Sequence, residues 1–159
     1  MQQDIHGNPI EAKCIACAIN DGSLEAPGGT VAESSHFRLE QDIEVPIPGF
    51  LVLASRRHFY AFDEMTADER ADYVDFLAKA RGALRQLGVA QAYFVLEEDT
   101  ENSHFHLWIV PKYDWMAQFG KKVASVRPAM EYAKRELKTE ENLERVHAMV
   151  EEVRTLLAV

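Results

Sequence analysis

Hydrophobic positions change period along this chain, and each change marks an element. FLVLAS at 50–55 is apolar on both faces, which predicts a strand in the middle of its sheet. Ahead of it, TVAESSHFRLEQD supplies two short strands with a turn near Ser34 and Ser35, and VPIPG at 45–49 breaks the chain. Thr66 and Glu69 then form a Thr-x-x-Glu capping box. Behind that box, Tyr73, Val74, Leu77, Ala80, Leu84 and Leu87 recur at helical spacing up to Gly88. AYFVLEE (92–98) and HFHLWIV (104–110) read as two further strands joined by the polar DTENS, and Pro111 ends the second. Pro128 opens a helix over 129–138. Thr139 caps another over 140–157, with Leu143, Val146, Val150, Val153 and Leu157 on one side. Residues 1–13 read as a loose arm and 24–29 as a loop. Strands, helix, strands, helices in that order predict an α+β fold with an antiparallel sheet.

The 159 residues fit one domain, 1–159, long enough to bury a sizeable core. A net charge of −9 argues against a nucleic-acid partner bound through a general basic surface. The first residues, MQQDIHGNPIEAK, lack a signal-peptide apolar core, and no apolar run is long enough to span a bilayer. The expectation is a cytoplasmic protein without a membrane partner. Two cysteines in such a chain suggest free thiols or a metal site rather than a structural disulfide.

Candidate chemistry concentrates in SHFHLWIVPKY. Residues i and i+2 of a strand share a face, so His104 and His106 project together. Imidazole is a poor core filler but a good nucleophile, proton carrier or metal ligand. Two alternating histidines can also be a solvated face or satisfied core residues, so neighbouring motifs have to weigh in.

SHFHLWIVPKY resembles the signature strand of histidine-triad nucleotide hydrolases and transferases, in which three histidines alternate and apolar residues and often a proline follow. CIACAI at 14–19 is similar to a CxxC segment near the start of many members, and PGFLVLASRRH at 48–58 to a Pro-Gly, apolar strand and basic-basic-His segment. The likeness covers residues 14–115, with 127–158 as a C-terminal helical extension. Placing Pro111 on the family's proline puts His104 first, His106 in the middle and Trp108 third, and Lys112 and Tyr113 then match a basic-aromatic pair. The alternative register puts Asn102 first, His104 in the middle and His106 third. Either way one histidine of the triad is missing.

The resemblance implies a histidine-triad-like antiparallel sheet with one long central helix and extra C-terminal helices. It implies nucleotidyl transfer through the middle histidine, His106, on a dinucleoside polyphosphate or nucleoside phosphoramidate. His104 and Trp108 would complete the catalytic strand, although an indole cannot shuttle a proton. Asn102 and Ser103 could donate hydrogen bonds to phosphate, and Phe37, Ile43 and Phe50 could line a purine pocket. The acidic EEDTENS precedes the strand where relatives carry a Gly-Gln-Ser type segment. Arg56, Arg57 and Lys112 are the nearest cations in sequence to offset that charge. Cys14, Cys17, His58 and His104 would make a structural zinc site, the alternative being two buried thiols. His6, His36 and His147 read as surface residues. Tyr113, Trp115 and Met116 would cover the site or pack against a partner, and relatives' dimers suggest a homodimer. Two other functions stay open: a nucleotide-binding module without catalysis, and a galactose-1-phosphate uridylyltransferase-like activity.

Overall fold

The computed structural model describes residues 2–158, so Met1 of the arm and Val159 lie outside it. Strands β1 (Ala32–Glu33), β2 (Phe37–Gln41), β3 (Leu51–Ser55), β4 (Ala92–Val95) and β5 (His106–Pro111) form one sheet in the order β1-β2-β3-β5-β4. Every neighbouring pair is antiparallel. FLVLAS lies central, as its two apolar faces require, and β3 is buried throughout. Helices α1 (Ile15–Asp21), α2 (Ala67–Gln86), α3 (Val126–Glu136) and α4 (Glu140–Leu157) surround the sheet. Among the described residues no helix is long and apolar enough to cross a membrane.

Alternation along the strands sorts the two faces. Phe37, Leu39, Leu51, Leu53, Leu107 and Ile109 point into the larger core, where α2 adds Tyr73, Phe76, Ala80 and Leu84 and α4 adds Val150 and Val153. Val52, Ala54 and Val110 point the other way, toward α3. Arg38, Glu40, His106 and Trp108 share that second face.

The capping box of α2 forms in full. Thr66 Oγ1 accepts from Glu69 N at 3.1 Å, and Glu69 Oε1 accepts from Thr66 N at 2.9 Å. Thr139 caps α4 from its expected position. Gly49 has a φ of 80°, and a Cβ there would sit 3.3 Å from both Leu84 and Pro111, so glycine is required for the closely packed turn into β3.

Several expectations are corrected. Residues 2–13 are not a loose arm: Ile5 is fully buried, its N–H bonds Ile43 O at 2.8 Å, and the rings of His6 and His147 stack 5.4 Å apart. CIACAI carries α1, too short to show helical periodicity. Val74 faces solvent while Phe76 is buried, one turn position round from the expected stripe. β4 stops at Val95 and β5 starts at His106. His104 and Phe105 lead into β5 outside the ladder, Phe105 bonding Phe59 and Ser55 instead. The third helix starts at Val126, with Pro128 inside its first turn, where a missing N–H costs nothing. Short 3-10 turns at Asp114–Phe119 and Lys122–Ser125 link β5 to it. They carry Trp115 and Met116 away from the site. Met116 is buried in the α3 core, Trp115 packs on Tyr132, and the Tyr113 hydroxyl donates to Pro48 O at 2.5 Å.

Candidate active site and metal centre

β5 begins at His106, whose Nδ1 lies 2.7 Å from the carbonyl oxygen of His104. A carbonyl only accepts, so Nδ1 carries the proton and Nε2 keeps the free lone pair. His106 lines a cavity of about 360 Å³ between the sheet, α1 and the N-terminal segment. Small residues floor it: Ala54 stands opposite His106 and Val52 opposite Trp108.

On the adjoining strand Arg38 and Glu40 form a buried ion pair, Nε to Oε2 at 2.5 Å and Nη2 to Oε1 at 3.0 Å, with exposures of 2% and 4%. Burial pushes the Glu40 carboxyl above its ordinary range, and the Arg38 bonds pull it back. Arg38 also donates to Asn20 Oδ1 on α1. The Asn20 amide in turn donates to Ser55 O and Arg56 O, so polar contacts tie α1 to the sheet.

Beside His106 the donor atoms of Cys14, Cys17, His58 and His104 lie within 4.8 Å of one another. The four sulfur–nitrogen separations run from 3.3 to 3.7 Å, and the two Nδ1 atoms are 3.1 Å apart. Tetrahedral zinc, with Zn–S near 2.3 Å and Zn–N near 2.0–2.1 Å, needs edges of about 3.3–3.8 Å. The outer contacts agree. His104 Nε2 meets Ser55 O at 2.5 Å and His58 Nε2 meets Asn102 O at 2.9 Å, which leaves both Nδ1 lone pairs facing the cluster. Burial lowers His104 to about 4, holding the ring in the neutral form a metal binds. The four residues therefore fit a structural zinc. They would fill all of its positions and leave none for substrate.

The structure brings together most of the residues expected from sequence. His106, Trp108, Asn102, Ser103 and Ile43 line the cavity with His58, His104 and Cys14. Both ring nitrogens of His104 are engaged, Nδ1 in the Cys/His cluster and Nε2 by Ser55 O, and its carbonyl oxygen accepts from His106 Nδ1. Two aromatic expectations fail. Phe37 faces the opposite core against Tyr73 and Phe105, and Phe50 is sealed beneath Trp108. Arg56 pairs with Glu33, Arg57 with Glu69, and neither they nor Lys112 line the cavity. The acidic EEDTE side chains also stay off its walls. Sequence reading missed Lys13, Glu40, Asp42 and Glu44, which do line it. The signal for Glu40 was present, a carboxylate on the same strand face as Arg38 in an otherwise buried strand.

No protein-family model matches the chain. An uncharacterised HIT-like (histidine-triad-like) protein of Methanocaldococcus jannaschii is 29% identical over 106 residues, 64% of this chain and 80% of that protein. Two solved structures share the fold at 17% identity. A Zn-bound histidine triad family protein from Mycobacterium smegmatis aligns with a TM-score of 0.60 over 90% of this chain and 96% of its own. A hypothetical histidine triad nucleotide-binding protein from Sulfolobus tokodaii aligns with a TM-score of 0.61 over 90% and 93%. The chain therefore shares the fold of histidine triad family structures and is similar in sequence to a HIT-like protein, with the three motifs in matching order.

Proposed function

We propose that the protein is a nucleotide hydrolase or transferase that works through a nucleotidyl-histidine on His106. Nε2 attacks the α-phosphorus of a bound nucleotide. The N–P bond forms as the bond from phosphorus to the leaving group breaks, and water or another acceptor then takes the nucleotidyl group from the imidazole. The observation that carries this reading is the 2.7 Å bond from His106 Nδ1 to His104 O, which presents Nε2 to a cavity of nucleoside size. The metal centre would supply a fixed anchor, since the carbonyl that orients His106 belongs to a ligand residue.

Trp108 shapes the choice of substrate. It donates a hydrogen bond but exchanges no proton near neutral pH. A phosphate leaving group departs as an anion and needs no acid, whereas an amine or alcohol does. Among the two substrate classes, this favours the phosphoanhydride of a dinucleoside polyphosphate over the phosphoramidate. A second reading, nucleotide binding without turnover, draws on the same residue.

Incubating the protein with a diadenosine or diguanosine polyphosphate, with mass spectrometry of products and protein, separates the two readings. Product together with a nucleotidyl adduct that maps to residue 106 is expected. His106→Ala should lower kcat by roughly a thousand-fold with an unchanged circular dichroism spectrum. Undiminished turnover in that variant would remove the nucleophile assigned here. Tight binding with neither adduct nor product would favour the second reading.

A further inference from the structure

The proposed reaction sets phosphorus beside His106 and the nucleoside elsewhere in the same cavity, and strand register says where. Arg38, Ala54 and His106 form one row across the sheet. Glu40, Val52 and Trp108 form the next row, two residues and about 7 Å away. That second row has a small residue at its centre, a carboxylate on one side and an indole on the other. A planar base lying over Val52 turns an edge toward Glu40, and Ile15, Ile19 and Ile43 complete an apolar surround.

The carboxylate is held for such a role. Arg38 takes one acceptor position on each oxygen of Glu40 and leaves one on each. An ionised carboxylate accepts and never donates, so the ligand must bring N–H or O–H groups.

We infer that Glu40 makes this site select a base whose edge presents two adjacent N–H donors. Guanine does so with N1–H and its 2-amino group. Adenine sets the N1 lone pair against the carboxylate and pays for an unmatched buried acceptor. The inference rests on the nucleotidyl reading above and adds a base preference to it.

Isothermal titration of the full chain with GMP, AMP and 1-methyl-GMP tests it. GMP is expected to bind at least about ten-fold more tightly than AMP, and the 1-methyl group to abolish the advantage. Glu40→Gln should bring GMP and AMP within about three-fold of each other. Should that variant fail to fold with Arg38 left unpaired, the ligand series on the parent protein decides alone. AMP binding as tightly as GMP overturns the base preference and leaves the nucleotide reading standing. Failure of all three ligands to bind overturns both. A folded Glu40→Gln protein with the parent's preference removes Glu40 from the assignment.

Discussion

One main-chain oxygen decides which nitrogen of His106 keeps a free lone pair, and it belongs to a residue whose own ring is committed elsewhere. The same economy governs the charged residues. Arg38 and Glu40 are tolerable at 2% and 4% exposure because each satisfies the other. Arg38→Ala should therefore destabilise the protein by about 3 kcal/mol in urea unfolding, and the apolar double substitution Arg38→Met with Glu40→Leu by clearly less. An equal loss in both would mean that desolvation is not what the pair relieves. Asp42 titrates in the opposite sense to a surface carboxylate. Burial, against bonds from the Val45 and Glu44 amides, raises it from 3.8 to about 6. The native chain then holds the proton more tightly than the unfolded one. The resulting stability is complete below 3.8 and is lost as pH rises through 6. A shift of this size is worth up to about 3 kcal/mol, less to the extent that the side chain still touches water. Asp42→Asn should thus melt higher than the parent at pH 7.5 and alongside it at pH 4. Alternation and CxxC spacing are local signals and singled out His104, His106, Cys14 and Cys17, whereas His58 came from the family resemblance. The resemblance misplaced Phe37 and Phe50, because which face of a strand meets the cavity is settled by what packs on each side.

Among the elements, α1 has no fully buried residue. Beyond the packing of Ala16 on the second core, its attachment is polar: Asn20 bridges to Arg38, Ser55 and Arg56, and Cys14 and Cys17 supply half of the candidate metal cluster. Stripping metal with a chelator should release residues 14–22 to rapid amide exchange while β2, β3 and β5 stay protected. Unchanged protection of 14–22 would show that the side-chain bonds suffice without an ion. The long helix α2 needs no such help. Thr66→Ala should cost it about 1 kcal/mol, read from the unfolding midpoint. Capping boxes and apolar runs were legible because they are contiguous in sequence. The short α1 and the 3-10 turns after β5 were not, because seven or fewer residues cannot display a period.

For the whole molecule, the sheet leaves β4 as an edge, where Phe94 is 51% exposed. On α2, Val74 is 65% exposed. The long helix and this edge strand thus each carry an uncovered apolar side chain, and the homodimer expected from the resemblance is proposed to close on them. Phe94→Asp should shift the protein to monomer in analytical ultracentrifugation. A parent protein that sediments as a monomer at high concentration would end the dimer proposal. The C-terminal extension is no appendage either. Val150 and Val153 of α4 belong to the same core as Leu39, Leu53 and Leu107. During synthesis, therefore, every strand of the sheet leaves the ribosome before α4, the last element to cover this core. A nascent chain paused near Lys138 would leave Leu39 and Leu53 covered by α2 alone and open to chaperones on the side that Val150 and Val153 close.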